Sequence, residues 1–330
     1  MSSPSGSSLD ALFARDVVPA IFGEGRSSER PLTLWVGGQP GSGKTFGGEA
    51  LLRVLREEGV ARVIGDDLRR FLPGYEELRR TQPLEMPSLT AAGSGELVRR
   101  CIQYANERRL SIMLEGTWRD PVMILGAVDD AWSLGRRTHA VVVAVPPVVS
   151  RVSAMQRFYR GGEALSAFGR WTPLDHHDKV VQQLPRTVQC LAAHEHVEQF
   201  SLIDRRGQVL MSSMWAPERE AQVSAAFRSA FERPVTAPEA AWIVAAQPLI
   251  AGAHERSGIH DSGAVEAQSW LYGVASRLQE QFRGSPGIVG VELRLPNVRS
   301  MIDELRGRAA VQPTDVPRAD RGERSMDVER

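Results

Sequence analysis

Residues 38–45 are the segment whose residue types and spacing most directly imply chemistry. They fit the pattern G-x-x-x-x-G-K-[ST] and directly follow the apolar run at residues 32–36. Glycines let the backbone fold around an anion with its N–H groups pointing inward, while a lysine ammonium reaches the β- and γ-phosphates and a threonine hydroxyl binds Mg²⁺. We therefore expect a nucleoside triphosphate to bind at Gly38, Gln39, Pro40, Gly41, Ser42, Gly43, Lys44 and Thr45.

The use of lysine supports this interpretation. The chain has 40 basic residues, and Lys44 and Lys179 are its only two lysines. A compact ammonium differs chemically from a planar guanidinium. A lysine at the loop, in a chain that otherwise uses arginine, indicates a chemical constraint at that position.

Carboxylates follow the next two apolar runs. Asp66 and Asp67 come after residues 62–65, and Glu115 and Thr117 come after residues 111–114. Phosphoryl transfer to a hydroxyl needs an acid that orients or deprotonates the acceptor, and ligands of open α/β folds bind where parallel strands end. The alternatives are an N-cap with an acidic first turn for the Asp pair, and a strand-end acid that only bonds loop amides for Glu115.

Two arginines farther along the chain could neutralise transferred phosphate. Arg157 precedes an aromatic residue, and Arg170 follows a glycine in a connection between helical patterns. Guanidinium groups can clamp phosphate oxygens in bidentate geometry and stabilise charge that develops in the transition state. Solvation of the surface is the alternative for any single arginine in so arginine-rich a chain.

The elements that position these residues can be read from periodicity. Apolar runs at 32–36, 62–65, 111–114, 138–145 and 199–203 alternate with helical patterns, which is typical of a parallel sheet covered by helices. Residues 205–208 predict a hairpin turn. We expect an α/β, three-layer P-loop kinase-like fold with a mainly parallel sheet, plus a smaller mostly helical C-terminal region. The expected divisions are a flexible N-terminus, a kinase domain, a helical region of unknown role and a disordered tail, at residues 1–14, 15–215, 216–306 and 307–330.

Composition excludes several classes of function. The formal net charge is zero, so no general attraction to nucleic acid or anionic lipid is expected. Cys101 and Cys190 cannot form a disulfide framework, and we expect reduced thiols. The first ten residues lack the features of a secretory signal, and the most apolar windows, 139–149 and 240–251, are too short to cross a bilayer. We expect a cytoplasmic protein without a nucleic-acid or membrane partner.

The motifs, taken in order, resemble those of the zeta toxin family of bacterial phosphotransferases, whose characterised members are UDP-N-acetylglucosamine kinases. The resemblance covers residues 15–213. Residues 37–45 resemble the family's G-G-Q-P-G-[AS]-G-K-[ST], residues 66–75 its D-E-L-R…H-P-x-Y, and residues 114–117 its I-E-G-T. Residues 157–178 resemble its R-Y…R-x-T-P-x-x-x-H-D.

The resemblance implies a role for each matching residue. Lys44 and Thr45 would bind nucleotide phosphates and Mg²⁺, with ATP or GTP as donor. Asp66 would activate the 3′-hydroxyl of UDP-N-acetylglucosamine, with Arg157 and Arg170 neutralising the phosphates. Acceptor binding is expected at Asp67, Arg69, Glu115 and Thr117.

Two positions depart from the family pattern. Leu72 replaces the histidine of the second motif, and Arg99 stands where family members often have an acid that contacts the acceptor. We expect Arg99 to alter the acceptor pocket. The resemblance also implies toxicity and an antitoxin partner.

Other functions stay open at the level of sequence. One is a kinase of the same architecture acting on a dinucleotide or a small antibiotic, and another is a non-catalytic nucleotide-binding regulatory module. The histidines at 194, 196, 254 and 260 lack acids or cysteines at ligand spacing, so no metal site is expected there.

Overall fold

The fold was analysed in a computed structural model, which describes residues 6–23, 25–55, 59–165 and 168–295. The predicted tail at 307–330 lies outside the described residues. Within the predicted flexible N-terminus, helix α1 (Gly6–Leu12) is present, and its Leu9 is buried. Leu9 packs in the same apolar cluster as Leu97 and Leu110.

The sheet of the described residues has six strands in the order β2-β3-β1-β4-β5-β6. Pairing is parallel throughout except between β5 and β6, which form the hairpin predicted at residues 205–208. Because both faces of the sheet are covered, the central strands are continuous apolar runs. The strands are β1 (Leu32–Gly37), β2 (Ala61–Val63), β3 (Ile112–Gly116), β4 (Arg137–Val143), β5 (Gln199–Ile203) and β6 (Val209–Met214).

Helices cover both faces of this sheet. Alternate residues of β1 show the two layers, since Leu34 and Val36 face the side of Leu51 while Trp35 faces the side of Leu184 and Phe227. The α/β fold with a mainly parallel sheet is therefore confirmed. The remaining helices are α2 (Val18–Phe22), α3 (Lys44–Leu55), α4 (Gly65–Leu68), α5 (Tyr75–Thr81), α6 (Met86–Leu89), α7 (Ala91–Glu107), α8 (Pro121–Ser133), α9 (Pro147–Leu165), α10 (Leu174–Ala193), α11 (Arg219–Phe231), α12 (Ala237–Ser257) and α13 (Ser262–Gln281), with a π-helical turn at Phe13–Val17 and a 3₁₀ turn at Arg69–Phe71.

The C-terminal region is helical, as expected, but its longest helix was not predicted. Helix α12 has one proline near its start, Pro238, and another in its interior, Pro248. Thr236 and Glu239 form a capping box that starts it. Its apolar residues pack against α9 and α13 in one cluster, so the C-terminal region is joined to the part of the chain that forms the sheet and its helices. Among the described residues, we find no helix with the length and apolar character needed to cross a membrane.

Candidate active site

The loop between β1 and α3 has the backbone of a phosphate-binding loop. Gly38, Gly41 and Gly43 have φ values of 146°, 80° and 97°, a region that L side chains rarely adopt. A Cβ atom on Gly41 would lie 2.0 Å from the carbonyl oxygen of Ser150 in α9. Glycine at this position therefore lets the loop pack directly on the α9 backbone.

Two side chains of the loop, those of Gln39 and Ser42, are buried, whereas the Lys44 side chain folds over the loop. Gln39 is fully buried, and its Nε2 donates to the Val145 carbonyl at 2.8 Å, so it anchors the loop to the end of β4. Ser42 is also fully buried. Lys44 Nζ donates to the carbonyls of Gly38 and Gln39 at 2.9 and 3.0 Å, which folds its ammonium over the loop.

A cleft of about 570 Å³ opens at the carboxyl ends of the strands. Of the residues selected from the sequence, Gly38, Gln39 and Ser42 are not among its lining residues. The others all line it: Pro40, Gly41, Gly43, Lys44, Thr45, Asp66, Asp67, Arg69, Glu115, Thr117, Arg157 and Arg170.

Asp66 stands in the first turn of the short helix α4, directly after β2. The N-cap of α4 is Ile64, with no side-chain cap, so the interpretation of the Asp pair as an N-cap is wrong, although both acids do lie in the first turn. Ser94 of α7 donates to the Gly65 carbonyl at 2.6 Å and fixes the turn. Asp66 is thereby aimed into the cleft.

Two arginines hold the Asp66 carboxylate. Arg170 Nη1 lies 2.5 Å from Oδ2, and Arg69 Nε donates to Oδ1 at 3.2 Å. Burial disfavours the charged carboxylate, but the guanidinium of Arg170, helped by Arg69 and Arg157, outweighs it and holds the pKa of Asp66 below its usual value. Asp66 is therefore ionised at neutral pH.

A backbone contact brings Arg157 and Arg170 together. Gly169 N donates to the carbonyl of Phe158 in α9 at 2.9 Å. A Cβ on Gly169 would lie 2.4 Å from the carbonyl oxygen of Arg157. The glycine before Arg170 thus allows its segment to lie directly on α9, so that both guanidinium groups reach the same cleft.

Glu115, at the end of β3, meets the phosphate loop from the neighbouring strand. Its Oε2 accepts a hydrogen bond from Thr45 Oγ1 at 3.0 Å, whereas Oε1 is buried without a hydrogen-bond partner among the described residues. Burial raises the pKa of Glu115, and the ammonium of Lys44 opposes that shift. Glu115 contacts the loop hydroxyl, which differs from the alternative in which it bonds only loop amides.

Burial also shifts the pKa of the Lys44 ammonium. Burial lowers the pKa of Lys44 to about 8, and Glu115 opposes this shift while Arg157 and Arg170 add to it. The ammonium is thus still mostly protonated at neutral pH. A bound anion would favour its charged form further.

Arg69 and Asp67 differ in how many of their polar atoms remain available to bind a ligand. Arg69 is buried, and its Nη1 donates to the Pro87 carbonyl at 2.8 Å and to the Thr90 hydroxyl, so most of its donors serve the protein. Asp67 is exposed, and burial of part of its carboxylate raises its pKa, opposed by Arg62. Arg69 therefore orients Asp66 in this structure.

Arg99 does not reach the cleft, contrary to the expectation from its position in the family pattern. It lies on the exposed face of α7, where its Nη2 pairs with Glu96 at 2.7 Å. Ser94, five residues earlier on the same helix, lines the cleft instead. Because α7 turns by about 100° per residue, Ser94 and Arg99 lie on different faces of the helix.

The structure adds a cleft residue that sequence patterns did not single out. Ser153 lines the same cleft, as does Tyr75, the tyrosine of the second motif. Next to it, beyond Gly43 and Phe46, a second cavity of about 830 Å³ is bounded by Arg205 and by Trp242 of the C-terminal region. The Arg205 guanidinium lies 5.5 Å from the centroid of Trp242. In the sequence, the one signal for this side of the second cavity was the pair of arginines, Arg205 and Arg206, in the turn between β5 and β6.

Comparisons with known proteins agree with the motifs. Residues 21–214 match the model of the family described as Zeta toxin. A relative named Toxin zeta from Streptococcus pyogenes is 26% identical over 195 residues, which are 58% of this chain and 67% of that protein. Toxin PezT from Streptococcus pneumoniae is 25% identical over 179 residues, 52% of this chain and 69% of that protein.

A solved structure shares the fold. It comes from a study of the PezAT chromosomal toxin-antitoxin system of Streptococcus pneumoniae. The match has a TM-score of 0.64 at 17% identity and covers 77% of this chain and 100% of the other. At that identity, the likeness concerns the fold.

Proposed function

The chain belongs to the zeta toxin family, and on that premise we propose that it is a P-loop kinase that phosphorylates a sugar nucleotide. The donor is ATP or GTP, and the acceptor is the 3′-hydroxyl of UDP-N-acetylglucosamine. We also propose that the activity is toxic to the cell, because it consumes a cell-wall precursor, and that an antitoxin protein binds the chain. The named relatives, which are toxins, support the toxin assignment.

One observation carries the proposal. Asp66 lies in the same cleft as Lys44, Arg157 and Arg170, although these residues are far apart in the sequence. A carboxylate that can accept a proton thus faces three cations that can neutralise phosphate. Phosphoryl transfer passes through a loose transition state, so positioning and charge neutralisation supply most of the catalysis.

The two sides of the cleft suit the two substrates. On the donor side, the triphosphate would lie on the loop backbone and Lys44, and its nucleoside would extend into the cavity bounded by Arg205 and Trp242. On the acceptor side, Asp66, Asp67, Tyr75 and Thr117 offer polar groups that can bind sugar hydroxyls. The γ-phosphoryl group would then sit between Lys44 and Asp66.

The transfer can be written for these residues. The acceptor oxygen forms a bond to the γ-phosphorus while the bond from that phosphorus to the β–γ bridging oxygen breaks. The hydroxyl proton passes to the Asp66 carboxylate. Arg157 and Arg170 bind the equatorial oxygens of the transferred group, where charge is greatest.

The residues around Thr45 fit a Mg²⁺ ion. Magnesium prefers hard oxygen ligands, and the buried, unpartnered Oε1 of Glu115 lies beside the Thr45 hydroxyl. Thr45 would bind the ion directly, and Glu115 would hold it directly or through bound water. An ion held by these two residues would supply positive charge that offsets the charge of the bound triphosphate.

The ion pair between Arg170 and Asp66 suggests that the phosphate donor binds before Asp66 accepts a proton. Arg170 occupies one Asp66 oxygen. A γ-phosphate competes for the same guanidinium, and its binding would free that oxygen and raise the basicity of Asp66. Asp66 would therefore become an effective proton acceptor once the donor is in place.

The proposal is tested by the product. Purified protein would be incubated with Mg²⁺, ATP or GTP and UDP-N-acetylglucosamine, and the products would be identified by mass spectrometry and ³¹P NMR. We expect one added phosphoryl group on the sugar 3′-oxygen, with Lys44→Ala as the inactive control. Phosphorylation of a dinucleotide or an antibiotic in place of the sugar nucleotide would refute the acceptor assignment, and nucleotide binding without transfer to any acceptor would refute kinase activity.

A further inference from the structure

Three side chains of types that bind metals meet near the amino ends of β4 and β5, at the end of the sheet opposite the cleft. Asp129 projects from α8, while His194 and His196 flank the turn between α10 and β5. His194 Nε2 and His196 Nδ1 lie 2.7 and 2.6 Å from the same Asp129 oxygen, Oδ1. The three ligand atoms all lie within 4.8 Å of one another. Sequence spacing concealed this cluster because its acid comes from a helix more than sixty residues earlier.

A buried arginine fixes the turn that carries the two histidines. Arg219 of α11 is 1% exposed, and its guanidinium donates to the carbonyls of Ala192, His194 and Val197 at 2.8, 2.8 and 2.6 Å. The turn also closes on itself, since Val197 N donates to the His194 carbonyl at 3.1 Å. The backbone of both histidines is thus held from the protein interior.

A ring contact orients the second histidine. Trp132, one turn after Asp129 on α8, stacks on His196 with a centroid separation of 5.2 Å and an interplanar angle of 10°. The His196 ring therefore cannot swing freely, and its Nδ1 stays aimed at the carboxylate. Asp129 is 47% exposed, so a solvated ion can reach the cluster.

The donor set matches a borderline divalent cation. Two imidazole nitrogens and one carboxylate oxygen are ligands of Zn²⁺, with a fourth position for water. Zinc bonds of about 2.0–2.2 Å would require the hydrogen-bonded atoms to separate by less than about 1 Å. One cation would replace the two protons that now bridge the carboxylate to the rings.

We infer that Asp129, His194 and His196 form a zinc-binding site that joins α8 to the turn before β5. The site lies at the amino ends of β4 and β5, whereas the phosphate loop follows the carboxyl end of β1. Its occupancy would stabilise the fold, and it does not depend on the proposed kinase activity.

The test measures zinc binding directly. Protein without a polyhistidine tag would be stripped with a chelator, dialysed and titrated with ZnCl₂ by isothermal calorimetry. We expect one Zn²⁺ per chain in the wild type and a rise in its melting temperature. Asp129→Asn and His196→Ala should each weaken binding by at least about tenfold, as loss of supporting groups already does in known sites. His260→Ala, at an exposed histidine elsewhere, is the matched control and should bind zinc like the wild type.

A spectroscopic measurement keeps the inference testable if a variant fails to fold. Co²⁺ added to the stripped wild type should give the visible absorption bands of a four-coordinate site, and Zn²⁺ should abolish them. The inference is overturned if the wild type binds no Zn²⁺, if Asp129→Asn and His196→Ala bind it as tightly as the control, or if Co²⁺ remains octahedral. The cluster would then be a hydrogen-bonded structure without a metal.

Discussion

Replacement of Arg170 by glutamine tests the electrostatic part of the proposed mechanism. The change removes a guanidinium that lies 2.5 Å from Asp66 Oδ2 and that binds the transferred phosphoryl group in the proposed mechanism. Arginines that neutralise phosphoryl-transfer transition states contribute about 10³–10⁵ in kcat. Because Arg157 remains in the cleft, we expect the lower end, a loss of about 10³-fold, equivalent to about 4 kcal/mol.

The same variant should change the pH dependence in a defined direction. In the wild type, Arg170 outweighs burial and holds the pKa of Asp66 below its usual value, so the carboxylate stays ionised as the pH falls through 5. Without that guanidinium, burial dominates and the pKa rises. Activity of the variant should therefore be lost on the acid side at a higher pH than in the wild type. The assay is kcat/KM for ATP, because its pH dependence reports the groups of the free enzyme, in which Arg170 is paired with Asp66. ADP release would be followed in a coupled colour reaction over the pH range in which both proteins stay folded.

Arg99→Gln is the matched control, because Arg99 is an exposed arginine paired with Glu96 outside the cleft. It should keep the wild-type kcat and pH profile. An Arg170→Gln variant as active as Arg99→Gln would refute the role of Arg170. If the variant loses activity at the same low pH as the wild type, despite a large loss of kcat, the claim that Arg170 lowers the pKa of Asp66 is refuted.

Four further predictions follow from individual contacts. The kcat/KM for ATP should fall as pH rises through about 8, because Lys44 then loses its proton; a profile that stays flat well above that pH would contradict this. Glu115→Gln should raise the Mg²⁺ concentration for half-maximal activity by at least about tenfold, and an unchanged requirement would exclude a role at the ion. Trp242→Ala should raise the KM for ATP with little change in kcat, since it bounds the donor cavity; an unchanged KM would separate that cavity from the nucleoside. Arg219→Leu should lower the free energy of unfolding in urea by about 3 kcal/mol or more, because three carbonyls lose their donor, and a loss below about 1 kcal/mol would contradict this.

Much of the fold could be predicted from the sequence because the sheet is buried on both faces. Continuous apolar runs marked all five parallel strands, and the predicted and observed bounds of β5 are the same. Helix α12 was missed because it packs on α9 and α13, so its apolar residues do not follow a single stripe. Its capping box, Thr236 with Glu239, is the signal that could have revealed it.

The candidate site was predictable where it depends on strand ends. The phosphate loop and Asp66 follow parallel strands, and Glu115 lies at the carboxyl end of one, so topology alone brings them to one edge. The meeting of Arg157 with Arg170 depends on a backbone contact made by Gly169, which no periodicity encodes.

Tertiary contacts also decide how single residues relate to the cleft. Arg69 lines the cleft, but it is turned toward Asp66 and the Pro87 carbonyl. Arg99 projects away because of its angular position on α7. Such contacts depend on the orientation of whole helices, which a single sequence does not specify.

Asp66→Asn tests the central claim most directly, since it keeps the shape of the side chain and removes its ability to take a proton. The measurement is phosphoryl transfer from ATP to UDP-N-acetylglucosamine, followed by mass spectrometry, together with the Kd for ATP by calorimetry. We predict that the variant binds ATP as the wild type does, or more tightly as Arg170 is released, and forms no phosphorylated sugar nucleotide above the level of Lys44→Ala. Undiminished product formation by Asp66→Asn would contradict the proposed chemistry.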